Sequence, residues 1–241
     1  MVMRIQKDPF KITYLDKAGN VINENEDQSM GWTTDGELMI NNKIQSDEAF
    51  WGLGEKPESS FNRRGEKVYM WSVDAWGAEL DDSFPSWEEG RYYMATPYFT
   101  SSKGYAILFD NSSRTVFDMG KTDPDTASFG CVNPNPGGEL CYYFMYAGSD
   151  DQYQKQLSKT YTDLIGKSFF APLWSTGNIQ CHYGYTQKDV EEVAAKYRET
   201  GIPLDAMMVD IEWYKYLCTP TAWNNSNFPD PDGMIQKLKD L

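Results

Sequence analysis

The run Ala206-Met207-Met208-Val209-Asp210-Ile211 sets the class of the C-terminal part of the chain. Four apolar residues follow one another without alternation and then meet a carboxylate. That pattern reads as a strand buried on both faces, as in a parallel sheet. Just upstream, Gly201 closes a helix predicted over Gln187–Thr200. Thr186 can cap its start, and Val190, Val193, Ala194 and Tyr197 fall on one face. Before that helix, Thr176-Gly177-Asn178-Ile179-Gln180-Cys181 reads as a first strand, so the order is strand, helix, strand. A second helix is predicted to begin near Asp232 and runs toward Leu241. One parallel pair cannot close a sheet, so such a unit leaves apolar surface uncovered.

Upstream the period changes. Phe10-Lys11-Ile12-Thr13-Tyr14-Leu15 alternates, meets the turn Asp16-Lys17-Ala18-Gly19-Asn20, and resumes in Val21-Ile22-Asn23, as a hairpin does. Short runs follow at 37–40, 67–71, 105–109, 115–117 and 140–146, punctuated by Asp110-Asn111-Ser112-Ser113 and Asn133-Pro134-Asn135-Pro136-Gly137-Gly138. Short strands at this spacing predict an antiparallel β-sandwich over residues 1–166. Residues 150–162 carry helical spacing through Tyr153, Leu157, Tyr161 and Leu164, and Gly166 stops them. A connector at 167–173 opens the second domain, which takes in 167–241.

Composition narrows the function. Among 241 residues, 22 Lys+Arg face 36 Asp+Glu, a net charge of −14, which repels phosphate backbones and argues against nucleic acid as a partner. The 40% hydrophobic and 24% charged shares are those of a folded chain. Aromatic residues reach 15%, and such rings suit stacking on flat neutral ligands such as sugars. No stretch approaches the ~20 apolar residues of a membrane-spanning helix. The opening Met1-Val2-Met3-Arg4-Ile5-Gln6 lacks the apolar core of a signal peptide, so a cytoplasmic location is expected and the sequons at Asn111 and Asn224 read as chance matches. Cys131, Cys141, Cys181 and Cys218 have no CxxC spacing, and His182 is the single histidine. A structural zinc site is not expected, and the thiols read as reduced and mostly buried.

Two clusters can carry chemistry. Asp210 stands at the C-terminal end of the predicted parallel strand, the edge where α/β sheets and barrels bind ligands. The plain alternative is a carboxylate that caps the next turn or pairs with Lys215. Glu212, Trp213, Tyr214 and Tyr216 crowd the same loop, and ordinary packing accounts for those rings as well as stacking does. The second cluster is Tyr69-Met70-Trp71-Ser72-Val73-Asp74-Ala75-Trp76-Gly77, which sets Asp74 between two tryptophans. Rings that cover C–H surfaces beside a carboxylate that accepts hydroxyls are what a sugar site needs. A core tryptophan pair beside a solvated acidic loop is the competing reading. His182 has no nucleophile partner in the sequence, and Trp51-Gly52-Leu53-Gly54-Glu55 lacks the third glycine and helix of a phosphate loop.

Taken in order, these segments resemble glycoside hydrolase family 31, the family of α-glucosidases, α-xylosidases and α-transglycosylases. The likeness rests on Phe50-Trp51-Gly52-Leu53-Gly54-Glu55-Lys56, Arg64-Gly65, Met70-Trp71-Ser72-Val73-Asp74, Tyr92-Tyr93-Met94-Ala95-Thr96-Pro97-Tyr98-Phe99 and Gly104-Tyr105-Ala106-Ile107-Leu108-Phe109-Asp110-Asn111. It continues through Phe117-Asp118-Met119-Gly120, Pro172-Leu173-Trp174, Tyr183-Gly184-Tyr185, Ile202-Pro203-Leu204-Asp205, Asp210-Ile211-Glu212-Trp213 and Phe228-Pro229-Asp230-Pro231. Each piece is weak, and together, collinear over nearly the whole chain, they are strong.

The resemblance implies a multi-domain β plus α/β protein. A galactose mutarotase-like sandwich would lead into the first strands and helices of a (β/α)8 TIM barrel. It implies that Asp210 bonds hydroxyls of the sugar in the −1 subsite, with Ile211 lining the pocket. Asp74 would meet the +1 sugar and Tyr183 would shape the same entrance; Trp213, from its place in the Asp210 loop, is counted with them as a candidate substrate contact. The family usually continues the Asp210 motif as Asp-Ile-Asp-Tyr-Met-Asp and then Phe-Thr-Trp-Asp. Here the chain reads Asp210-Ile211-Glu212-Trp213-Tyr214-Lys215, then Thr221-Ala222-Trp223-Asn224. Likewise the common Gln-Ser-Arg-Trp-Gly-Tyr becomes Gln180-Cys181-His182-Tyr183-Gly184-Tyr185.

A retaining glycosidase needs a nucleophile and an acid/base carboxyl, with no metal or organic cofactor. In this family both lie on later barrel strands, beyond the position of Leu241, so no catalytic residue is expected within the chain. The expectation is the N-terminal part of a retaining enzyme acting on an α-linked oligosaccharide, with turnover absent from the piece alone. Transglycosylase, α-xylosidase or α-N-acetylhexosaminidase specificity stands beside α-glucosidase. The contrasting class is a non-catalytic carbohydrate-binding or interaction module. A bare βαβ edge also favours association, with another copy or with the remainder of a barrel.

Overall fold

Among the described residues the N-terminal unit holds eleven strands: β1 (Val2–Lys7), β2 (Phe10–Leu15), β3 (Val21–Trp32), β4 (Leu38–Lys43), β5 (Phe50–Gly52), β6 (Lys67–Met70), β7 (Tyr98–Ser101), β8 (Tyr105–Phe109), β9 (Thr115–Met119), β10 (Thr126–Cys131) and β11 (Tyr142–Tyr146). The computed structural model describes residues 1–32, 37–55, 60–72, 94–131, 139–216 and 219–241, with the side chains of 28, 29 and 219 left aside. The chain divides into two compact units, Met1–Lys167 and Ser168–Leu241.

Among the described residues the strands form a sheet of order β1-β2-β3-β4-β10-β9-β6 and a second of order β11-β8-β7-β5. Every pairing within both sheets is antiparallel. The predicted hairpin at Asp16 closes because its carboxylate accepts the N–H groups of Ala18 and Asn20, each at 2.8 Å.

Period-2 burial explains the sandwich. In β8, Tyr105, Ile107 and Phe109 face a core shared with Phe50 and Phe99 of the same sheet and with Phe117 and Phe129 of the other. The rings of Phe99, Phe109, Phe117 and Phe129 meet mostly edge to face, at centroid distances of 5.6–6.4 Å. Each such fully buried ring contributes about 2–3 kcal/mol. The alternate residues Ala106 and Leu108 face outward against helix α1 (Tyr153–Ile165), where Leu157 is fully buried and Tyr161 is half-buried. Leu164, expected on that packed face, is exposed.

Four strands of this unit escaped the sequence reading: β5 and β7 are short, β10 carries one large apolar residue, and β1 is exposed along its whole length. Gly130 in β10 is required by close approach, since a Cβ there would lie 1.8 Å from the Leu38 carbonyl oxygen of β4.

In the second unit, β12 (Ile179–His182) pairs in parallel with β13 (Ala206–Val209), in register Ile179↔Ala206 to His182↔Val209. The first strand begins later than expected, because Thr176 belongs to a 3-10 turn over Leu173–Thr176. Helix α2 (Gln187–Thr200) joins the strands, with Gly201 in the left-handed region (φ +71°) at its end. A 3-10 turn (Ile211–Trp213), the hairpin β14 (Tyr214–Tyr216) with β15 (Thr219–Trp223), and helix α3 (Pro231–Lys239) complete it.

Burial of β13 on both faces is not observed. Met207 and Val209 pack with Val190 of α2, Met234 of α3 and Phe228. Met208, on the opposite face beside Cys181, is 53% exposed. The reason is layering: among the described residues of this unit, α2 and α3 cover one face of the pair. The thiols also differ from expectation. Cys131 is buried, Cys141 half-buried and Cys181 exposed, all as free thiols, and Cys218 lies outside the described residues.

Candidate functional site

Parallel register puts two of this unit's four predicted contacts, Tyr183 and Asp210, at one edge. His182 ends β12 opposite Val209, which ends β13, so the next residues, Tyr183 and Asp210, leave neighbouring strands side by side. Asp210 keeps extended backbone (φ −73°, ψ −162°) and caps the 3-10 turn that follows. Its Oδ1 accepts the N–H of Ile211 at 2.7 Å. This is the capping role of the plain reading, and it fixes the carboxylate's direction without using up its acceptor capacity, since a carboxylate offers about four lone-pair sites. Asp210 and Ile211 are half-buried, a setting in which a carboxylate stays solvated enough to meet a ligand.

Tyr183 is 66% exposed. Gly184 beside it sits at φ +87°, a conformation that frees the chain to turn sharply into α2. Beneath this loop the strand residue Gln180 points toward α2. Its Oε1 accepts from the Tyr197 hydroxyl at 2.7 Å, and its Nε2 donates to the Tyr185 hydroxyl at 3.1 Å and to the Cys181 carbonyl at 3.2 Å. The His182 ring stacks on Tyr185 at 4.9 Å and 25°. Sequence reasoning passed over Gln180; a lone polar residue in an otherwise inward-facing strand position was the signal available.

The helix after the loop is anchored at its start. Thr186 and Asp189 form a reciprocal capping box, with Asp189 accepting the Thr186 N–H at 2.9 Å. Hydrogen bonds from the Thr186 side chain and then its backbone hold the Asp189 carboxyl below the usual carboxylate range.

Trp213 is placed differently from an open stacking platform. Its ring packs edge-on against Tyr214 at 4.6 Å and at a tilt against Trp223 at 5.0 Å, and Trp223 continues to Phe228. Glu212 turns inward as well, with its Oε2 buried and unpartnered among the described residues. Asp74 lies outside the described residues. Among those described, no group of three or more His, Cys, Asp or Glu side chains is gathered to hold a metal ion, and no helix is long and apolar enough to cross a membrane.

Two family models match the chain. The glycosyl hydrolase 31 N-terminal galactose mutarotase-like domain matches residues 1–118, and the glycosyl hydrolases family 31 TIM-barrel domain matches residues 168–241. "Alpha-glucosidase 2" of Bacillus thermoamyloliquefaciens is 29% identical over 236 residues, which are 98% of this chain and 28% of that protein. "Alpha-xylosidase XylQ" of Lactiplantibacillus pentosus is 31% identical over 201 residues, 80% of this chain and 24% of the relative. A solved family 31 dextranase of Flavobacterium johnsoniae, complexed with isomaltotriose, superposes with a TM-score of 0.82 at 33% identity, over 99% of this chain and 27% of its own. The chain thus spans about a quarter of the length of these relatives.

Proposed function

The chain belongs to glycoside hydrolase family 31, and from that premise we propose that the protein is a retaining α-glycosidase acting on α-linked glucosyl residues. Its first unit is the family's galactose mutarotase-like β-sandwich, and its second is the start of the TIM-barrel domain. In this reading the 241 residues supply substrate positioning, and the two reacting carboxyl groups come from the part of the relatives' length that this chain does not span. The nucleophilic carboxylate attacks the anomeric carbon while the acid protonates the departing glycosidic oxygen. Water then breaks the glycosyl ester, giving its proton to the same residue, now a base. No metal or organic cofactor takes part in that sequence.

The observation that carries the reading is the pairing of Asp210 and Tyr183 at the C-terminal edge of β12 and β13. That edge is where barrel enzymes bind their substrates. Asp210, already aimed by the Ile211 N–H, accepts hydroxyl hydrogen bonds from the innermost sugar. Ile211 lines the pocket, and Tyr183 offers an exposed ring to the next sugar. Asp74 is assigned a further substrate contact from the family motif. Trp213 we assign to holding the turn, because its ring lies among Tyr214 and Trp223.

Relatives named as an α-glucosidase, an α-xylosidase and a dextranase make α-linked glucosides the first substrates to assay. The test is the rate of sugar release from maltose, isomaltose, isomaltotriose and an aryl α-xyloside by the full-length enzyme carrying this chain. Release from a glucoside with retained configuration supports the proposal. Inactivity on the whole panel, with sugar binding intact, favours a carbohydrate-binding module instead.

A further inference from the structure

We propose that Gln180 is a positioning residue that holds the Tyr183 loop in its substrate-facing conformation, an inference that rests on the site assigned above. The loop between β12 and α2 is four residues long, Tyr183 to Thr186, and its second residue is a glycine at positive φ. Nothing in its own backbone would keep Tyr183 in one place, because glycine carries the largest conformational freedom of any residue. The ring itself is 66% exposed, so packing does not hold it either.

What does hold the loop lies beneath it. Gln180 grips Tyr197 of α2 through Oε1 at 2.7 Å and Tyr185 at the loop's far end through Nε2 at 3.1 Å. A single carboxamide therefore ties strand, loop and helix together. Tyr185 is fixed a second time by the His182 ring stacked on it at 4.9 Å. Immediately beyond, the Thr186–Asp189 capping box and the Gln187 N–H, which donates to the Asn227 carbonyl at 2.9 Å, anchor the first turn of α2. Tyr183 is thus the free element between two clamped ends. The bonds are made by half-buried groups, where competition from water is reduced and orientation is correspondingly better defined. A ring held in this way binds a sugar without first losing loop entropy, which is the gain from preorganisation.

The test uses the full-length enzyme carrying this chain, with isomaltotriose and maltotriose as substrates, and four variants. Gln180→Leu breaks both tyrosine bonds, and Tyr185→Phe removes one of them while keeping the ring. Gln180→Glu keeps an acceptor for each tyrosine hydroxyl, with the Tyr185 bond reversed and the donor to the Cys181 carbonyl lost, and Tyr183→Ala removes the ring itself. The expected result is a KM raised about tenfold in Gln180→Leu and Tyr183→Ala, with kcat changed less than about twofold, as for a lost binding contact. Tyr185→Phe falls between, and Gln180→Glu recovers most of the loss. In the 241-residue chain, amide hydrogen exchange over residues 182–186 quickens in Gln180→Leu and not in Gln180→Glu.

A KM raised in Tyr183→Ala but unmoved in Gln180→Leu overturns this inference and leaves the site assignment standing. An unmoved KM in Tyr183→Ala overturns the site assignment and this inference with it. Equal losses in kcat and KM for Gln180→Leu and Gln180→Glu mark a general structural role, and likewise overturn it.

Discussion

Tyr98 of β7 and Tyr161 of α1 stack ring on ring at 4.1 Å and 28°, which fastens the helix to the outer face of the four-stranded sheet. The arrangement leaves the Tyr98 hydroxyl buried without a hydrogen-bond partner among the described residues, and burial pushes its pKa up to about 12. A buried donor without an acceptor costs about 1–3 kcal/mol.

Tyr98→Phe is therefore expected to leave stability at pH 7 unchanged or to raise it by about 1 kcal/mol, since stacking is kept and an unpaired group is lost. The alkaline behaviour follows from the sign of the shift. Below pH ~10 the phenol is neutral in both states and its contribution is fully present. As pH rises toward about 12, the unfolded chain ionises first and the stability is lost. Tyr14, Tyr105 and Tyr142 are held up by burial too, so the variant flattens this decline without abolishing it. Urea midpoints at pH 7 and pH 11 for the two proteins check both parts.

The capping box sets an acid limit on the second unit. Thr186→Ala is expected to destabilise α2 by about 1 kcal/mol, by removing the acceptor for an orphan helix N–H. Asp189 is held low by the Thr186 hydrogen bonds, so its contribution is present above the ordinary carboxylate pKa of ~3.9. It fades as pH falls through the lower folded value. Helical circular dichroism during acid titration from pH 6 to pH 2 shows the loss, and Asp189→Asn reduces that dependence without abolishing it, because the Lys237 and Gln187 side chains hold Glu191 of α2 low as well.

Gly130 and Gly19 separate two reasons for a glycine. Gly130→Ala puts a Cβ 1.8 Å from the Leu38 carbonyl oxygen, which forces β4 and β10 apart, and a loss of roughly 3 kcal/mol or more is expected. Gly19→Ala meets no atom within 4 Å and pays only for its positive φ of +91°, about 1 kcal/mol. Thermal unfolding of both variants ranks them; equal losses would contradict the register of β4 against β10.

Much of this architecture is legible in the sequence because burial imposes a period. The hairpin at Asp16, the strand Tyr105–Phe109, the cap at Thr186 and the stop at Gly201 each follow from local chemistry. Strand β10 is not legible: Thr126-Ala127-Ser128-Phe129-Gly130-Cys131 carries one large apolar residue, and its glycine is a packing requirement visible only against Leu38. The run at 206–209 misled in one respect, for an apolar sequence cannot say whether anything covers its second face, and Met208 stands exposed. At the site, Asp210 is singled out by its strand-end position, where ligands bind, whereas Tyr183 enters only through the family resemblance. Gln180 was missed because its partners, Tyr185 and Tyr197, come together only once α2 has folded back onto β12.

The most direct test of the central claim, that Asp210 is a substrate contact, is the kcat/KM of the full-length enzyme carrying this chain on isomaltose, measured for Asp210→Ala and Asp210→Asn. Asn keeps an acceptor for the Ile211 N–H, so the turn survives while the charge that receives the sugar hydroxyls is gone. The account predicts a fall of about 100-fold or more in Asp210→Ala, with a smaller but clear fall in Asp210→Asn and unfolding midpoints close to the parent. Full activity in both variants, or a loss that tracks unfolding in Asp210→Ala and vanishes in Asp210→Asn, would contradict it and leave Asp210 a cap for the turn alone.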